Sequence, residues 1–158
     1  MLERYPEYPF GHNNLGLIYQ KKGELAHAIS EYEKAVSLRP GHPVFRMNLG
    51  AAYDGAGLFD KAVAEFQAAV KLNPMNPQTL TNLASILAKT GKFNDAIRII
   101  NKAIDIEPDN PMAYYILGYS YEMSGLFNEA LDAYNKALGF NPDWELPRKR
   151  ILGLRGKP

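Results

Sequence analysis

The stretch PVFRMNLGAAYDGAGLFDKAVAEFQAAVKLNP, residues 43–74, decides the fold, because each of its landmarks returns every thirty-four residues along the chain. Leu49-Gly50 is in phase with Leu15-Gly16, Leu83-Ala84 and Leu117-Gly118, and Tyr53 with Tyr19, Leu87 and Tyr121. Gly57 repeats as Gly23, Gly91 and Gly125, and Ala62 as Ala28, Ala96 and Ala130. Phe66 repeats as Tyr32, Ile100 and Tyr134, Ala69 as Ala35, Ala103 and Ala137, and Pro74 as Pro40, Pro108 and Pro142.

A thirty-four-residue period carrying small, aromatic and proline positions in this order resembles the tetratricopeptide repeat, a helix–turn–helix unit. The resemblance covers nearly the whole chain. It implies an all-α, right-handed α-α superhelix, a solenoid whose core is a strip shared between neighbouring repeats. It also implies binding of other proteins, since the signature residues serve packing and leave the ligand to the positions between them.

The frame divides the chain as follows. Residues 1–8 read as the end of a preceding repeat or an N-terminal arm, because Pro6 is in phase with Pro40 and Met1 with Ala35. Four repeats occupy 9–42, 43–76, 77–110 and 111–144, and 145–158 form a C-terminal capping helix and basic tail. Each repeat opens its first helix at a proline (Pro9, Pro43, Pro77, Pro111), where the missing N–H would be unpaired anyway. Asn76 and Asn110 are placed to cap two of these helices, and Asp60, Asn94 and Asn128 to cap second helices. Glycines 23, 57, 91 and 125 end the first helices in the left-handed conformation.

Ala62, Val63, Phe66, Ala69 and Val70 recur every three or four residues as a buried stripe. Small residues at Gly16, Gly50, Ala84 and Gly118 are expected to face Ala28, Ala62, Ala96 and Ala130 at close helix approach. Trp144 to Leu154 can form one more helix with Leu146, Ile151 and Leu154 inward and Arg148, Lys149, Arg150 and Arg155 outward.

Composition narrows the functional classes. The formal charge is +1 at 158 residues, which gives no field to hold nucleic acid or an acidic membrane. Residues 1–142 carry 13 basic and 15 acidic side chains, and 143–158 carry 5 and 2, a weakly basic end. Without cysteine there are no disulfide staples or thiolate ligands. No apolar run approaches the roughly 20 residues of a membrane span, and MLERYPEYPF lacks the apolar core of a secretory leader, so the cytoplasm is the default compartment.

Chemical motifs are few. His12, His27 and His42 fall on different elements and form no metal set. Asp105, Glu107 and Asp109 imitate the start of a calcium loop, but Asn110 replaces its glycine and Ile116 its bidentate glutamate. Gly153-Leu154-Arg155-Gly156-Lys157 lacks the strand and hydroxyl of a phosphate loop. No catalytic residue, metal ligand or cofactor site emerges, and the expectation is a protein that is not an enzyme.

The informative positions lie on the first helices, which in the family line the concave groove. Asn14, Asn48 and Asn82 share one repeat position. An amide both donates and accepts, so such a row can hold a peptide backbone without reading its side chains. The row is similar to the asparagine ladder of the superhelical arm of O-linked N-acetylglucosamine transferase, and Ile116 ends it in the fourth repeat. The same residues could instead satisfy neighbouring helices or face water.

Met112, Tyr115, Tyr119 and Met123 make the first helix of the fourth repeat apolar on a second face, either a binding patch or the seat of the C-terminal helix. The cations with which chaperone-binding members clamp a C-terminal carboxylate are missing from Phe10, Asn13, Val44, Met47, Gln78 and Asn82.

The expected function is therefore a protein-interaction module that takes an extended, largely neutral or apolar peptide in its groove. Asn14, Asn48 and Asn82 would hold the backbone, and Phe10, Asn13, Leu17, Met47, Thr81, Ser85, Met112, Tyr115 and Tyr119 would complete the surface. Two alternatives are a targeting arm of a larger multidomain enzyme and a scaffold that self-assembles through its amino end, where Met1, Leu2 and Tyr5 lie.

Overall fold

The computed structural model describes residues 8–154. The readings placed on Met1–Pro6, on Arg155 and on Lys157 lie outside the described residues. The chain divides into two compact units, Met1–Pro74 and Met75–Pro158, although the thirty-four-residue frame runs through that boundary unbroken.

The first unit holds α1 (Pro9–Lys21), α2 (Leu25–Leu38), α3 (Pro43–Gly55) and α4 (Phe59–Leu72). These pair as two hairpins, with α2 also packed on α3. The second unit holds α5 (Pro77–Lys89), α6 (Phe93–Ile106), α7 (Pro111–Met123), α8 (Phe127–Phe140) and α9 (Glu145–Leu154). Here α5 pairs with α6 and α7 with α8; α6 packs on α7, and α9 on α8. All regular structure among the described residues is helical.

The turn inside each hairpin follows from one glycine. Gly23, Gly57, Gly91 and Gly125 have φ of 78, 74, 78 and 79°. In the second repeat the Gly57 N–H donates to the Asp54 carbonyl at 3.0 Å and the Leu58 N–H to the Tyr53 carbonyl at 2.9 Å, a Schellman motif. The Leu58 carbonyl then accepts from Ala62 N–H and opens the next helix. One residue thus closes a helix and starts another.

This corrects the capping role expected of Asp60, Asn94 and Asn128. The positions before the second helices are Leu58, Lys92 and Leu126, none of which gives a side-chain cap. Asp60 lies inside the first turn, where its charge still favours the helix N-terminus. The first helices do have room for a cap: Asn76 Oδ1 accepts from Thr79 N–H at 2.8 Å, and Asn110 Oδ1 from Met112 N–H at 3.0 Å.

The small residues of the first helices meet rings. A Cβ on Gly16 would lie 2.6 Å from the Tyr32 ring, on Gly50 3.0 Å from Phe66, and on Gly118 2.7 Å from Tyr134. The third repeat instead carries Ala84 where the others have glycine, and Ile100 where they have a ring, both fully buried. Ala28, Ala62, Ala96 and Ala130 are buried as well. The tyrosines also tie the hairpin at their far ends: Tyr32 Oη donates to Gln20 Oε1 at 2.8 Å and Tyr134 Oη to Glu122 Oε2 at 2.7 Å. Burial pushes the Tyr32 phenol up to about 12. Burial and the Glu122 carboxylate push Tyr134 up as well.

The last helix begins at Glu145, thirty-four residues after Pro111, so α9 is the first helix of a fifth repeat. Its contacts repeat those of earlier ones. Arg46, Tyr114 and Arg148 share one repeat position, and each donates to the carbonyl of the proline six residues back, Pro40, Pro108 and Pro142. Two expectations for α9 are corrected. Leu146 is half exposed, and Pro147, Ile151 and Leu154 form the buried face, because a first-turn proline packs as an apolar side chain without losing a hydrogen bond. Arg150 turns inward to Glu122, at 3.4 Å.

Placing a methyl on Gly16 is expected to destabilise the fold by about 1–2 kcal/mol, overpacking against Tyr32 outweighing the helix-propensity gain. In a double-mutant cycle with Tyr32→Ile, which copies the third repeat, the loss from Gly16→Ala should shrink by at least about 1 kcal/mol. Chemical denaturation measures both; additive losses would mean the ring does not press on Gly16.

Candidate functional site

The second unit carries a recess of about 210 Å³ lined by Ser85, Ala88 and Lys89 of α5, Tyr115, Ile116 and Tyr119 of α7, and Arg150 of α9. Every wall is a first helix in the repeat frame. Three residues marked in the sequence, Ser85, Tyr115 and Tyr119, are thereby brought together.

The recess is held by its neighbours. Tyr115 packs on Tyr134 and Trp144, with ring centroids 5.8 and 4.9 Å away. Tyr119 meets the Phe93 ring edge-on at 6.4 Å, and the Arg150 guanidinium lies 5.1 Å from the Tyr119 centroid. Glu122, behind the recess, takes Tyr134 Oη on one oxygen and Arg150 on the other. Partial burial works against the Arg150 charge, but Glu122 and a hydrogen bond with Tyr115 outweigh it and raise its pKa. The aromatic face of α7 is thus shared: Tyr115 and Tyr119 are covered in part by the C-terminal segment, while Met112 and Met123 at its two ends stay exposed.

Elsewhere on α5, Asn82 Oδ1 accepts from Gln78 Nε2 at 2.9 Å, one turn apart on the helix. Thr81 is 4% exposed with its hydroxyl buried and unpartnered. It is not a surface position.

The first unit presents its marked residues differently. Asn14 and Leu17 are exposed on α1. Asn48 Nδ2 donates to Oδ1 of the buried Asn13 at 2.8 Å, so this pair joins α3 to α1. Met47 is half-buried. Phe10 stands edge-on to Phe45 at 5.1 Å and to His42 at 5.4 Å, under the Arg39 guanidinium, and is chiefly part of an aromatic cluster.

Arg150 was missed as a recess residue, and the frame held the signal: it is in phase with Asn14, Asn48, Asn82 and Ile116.

Titratable clusters outside the recess are structural. His12 Nδ1 and Glu31 Oε2 are 2.6 Å apart, and Lys34 donates to Glu31 Oε1 at 2.7 Å. His27 is exposed beside Glu24, and His42 stacks on Phe45. Among the described residues no three histidine or acidic side chains converge as a metal set.

Comparison with known proteins gives one family. The family model described as tetratricopeptide repeat matches residues 9–42 in one form, and 47–111 and 81–143 in another. No curated protein sequence matches. Among solved structures, a MamA protein is 25% identical, with TM-score 0.86 over 94% of this chain and 82% of that one. MamA from Desulfovibrio magneticus is 18% identical, with TM-score 0.87 over 93% and 83%. A thermophilic TPR protein of Thermus thermophilus is 24% identical, with TM-score 0.76 over 98% and 84%.

Burial opposes the Glu31 charge, but hydrogen bonds from Lys34 and His12 outweigh it and hold its carboxyl below the ordinary 4.5. A depressed carboxylate contributes stability above its unfolded pKa and loses it as pH falls through the folded value. Glu31→Gln is therefore expected to cost about 1–2 kcal/mol at pH 6. The difference in Tm from wild type should narrow below pH 4.5. A gap that is constant or widens toward low pH would contradict the assignment.

Proposed function

The chain belongs to the tetratricopeptide repeat family and is a protein-interaction module, and we propose that it works by binding alone, holding an extended segment of a partner protein against its first helices. On the second unit one partner side chain enters the recess between Ser85, Tyr115 and Tyr119, with Met112 and Met123 as apolar shoulders. Asn82, close to Ser85 on α5, serves the partner's backbone. On the first unit Asn14 and Asn48 have the same role, with Leu17 and Met47 beside them.

The observation that carries this reading is the recess itself, a concavity lined by residues of three first helices. Its volume is below the roughly 300–1,000 Å³ of small-molecule sites, so it suits a side chain better than a free metabolite. Amide contacts at about 0.5–1.5 kcal/mol each add modest affinity, leaving selectivity to the recess. Methionine and tyrosine shoulders suit adaptable protein recognition.

Selection of random peptides on the wild type should enrich a motif whose binding Ser85→Trp, which fills the recess, weakens by about tenfold or more. Asn82→Ala should weaken it by about two- to tenfold. Both variants should melt within a few degrees of wild type, since neither removes a buried apolar contact. Enriched peptides that bind folded Ser85→Trp as tightly as wild type would overturn the recess as the site.

A further inference from the structure

We propose that the chain associates head to tail with a second copy of itself: the apolar face of α1 of one copy docks on α8 of the next, in the place that α9 takes in the single chain.

The repeat frame defines that face. Gly11, Leu15 and Ile18 of α1 are in phase with Phe45, Leu49 and Ala52 of α3, with Ala113, Leu117 and Ser120 of α7, and with Pro147, Ile151 and Leu154 of α9. On those three helices every one of these positions is buried. A second helix packs on each of them, α2 on α3, α6 on α7 and α8 on α9. On α1 the same positions are only partly covered. Ile18 is 50% exposed, where Ala52, Ser120 and Leu154 are 2% exposed or less. Withdrawing this stripe from water under another helix is favourable in proportion to the apolar area covered.

The occupant follows from what the equivalent face meets on α9. Phe127, Leu131 and Leu138 of α8 pack against the core that Ile151 and Leu154 form with Ala130 and Tyr134. Leu15 and Ile18 offer α8 the contacts that Ile151 and Leu154 give it, one branched aliphatic chain for another. The first repeat of one copy then follows the fourth of its neighbour as the fourth follows the third within the chain.

A polar contact supports the same register. Tyr53 Oη of α3 donates to Glu33 Oε1 of α2 at 2.6 Å. Tyr19 of α1 is in phase with Tyr53, and Asn135 of α8 with Glu33. Among the described residues neither the Tyr19 hydroxyl nor the Asn135 amide has a hydrogen-bond partner. Docking of α1 on α8 joins them across the two copies.

Within the single chain α9 holds this face of α8. Joined to it by the short link 141–144, α9 acts at an effective concentration of about millimolar, so the single chain prevails when dilute. Raising the concentration or loosening α9 favours the second copy. Because α1 and α8 are different surfaces, the contact continues from copy to copy rather than stopping at a dimer. By phase, Asn14 of the second copy arrives where Arg150 stands, so association also exchanges the cation on the recess wall for an amide.

The test is sedimentation equilibrium of the full chain over a range of concentrations, with circular dichroism to establish folding. The wild-type average mass should rise above the 17.7 kDa of one copy only toward about millimolar protein. Leu154→Ala, which loosens α9, should lower that onset at least about tenfold; Leu154→Val takes its place if the alanine variant loses the fold. Ile18→Asp, at a half-exposed position, should remove the association from both. Asn135→Glu, which copies Glu33, should tighten it severalfold. Mixed into Leu154→Ala samples, the Ile18→Asp/Leu154→Ala protein should shorten the assemblies, since its α8 accepts one copy and its α1 adds none.

A folded, loosened variant that stays monomeric to about 1 mM would overturn the inference. So would association that survives Ile18→Asp, no gain from Asn135→Glu, or assemblies that the mixed variant leaves unchanged.

Discussion

A ring pressed against a residue with no side chain is the contact on which the first, second and fourth hairpins depend. Tyr32 on Gly16, Phe66 on Gly50 and Tyr134 on Gly118 bring the two helices of a repeat together where a methyl group would already collide. Everything else in the repeat is arranged to permit that approach. The left-handed glycine reverses the chain in the fewest residues, and the Schellman turn hands its last residue directly to the next helix. Ala84 with Ile100 is the same contact solved with a different division of volume.

That contact also leads to the site. Because Tyr134 fills the space over Gly118, its hydroxyl reaches Glu122 at the end of α7, and Glu122 in turn holds Arg150 of α9. A packing residue, a buried acid and an inward arginine form one chain from the core to the wall of the recess. Tyr32 ends on the neutral Gln20, so the first unit begins the same chain without the charge. The second unit is thereby distinguished by chemistry rather than by fold.

Much of this was legible in the sequence. The period, the prolines and asparagines that open first helices, and the glycines that close them are local signals with local causes, and they fall where the frame put them. What was not legible depends on which groups share a face. Asp60, Asn94 and Asn128 look like caps in a linear reading, but the Schellman turn leaves no separate capping position. Thr81 and Asn13 sit at groove positions by phase, yet both are buried, Asn13 under a hydrogen bond from Asn48 of α3, which single-helix periodicity does not record. Leu146 was expected inward because hydrophobicity ranks leucine first, while the helical register buries Pro147 with Ile151 and Leu154. Arg150 shares the repeat position of Asn14, Asn48, Asn82 and Ile116, so its phase, unlike its charge, points to the groove face.

The central claim, that partner segments bind over the α7 recess, is most directly tested by methyl NMR of the methionine-labelled protein during titration with a selected peptide. Met112 and Met123 flank the recess, while Met75, equally within the second unit and 67% exposed, is an internal reference. Met112 and Met123 resonances should shift together and saturate with the binding curve while Met75 stays in place. Saturable binding that moves Met75 and leaves Met112 and Met123 unchanged would contradict the account.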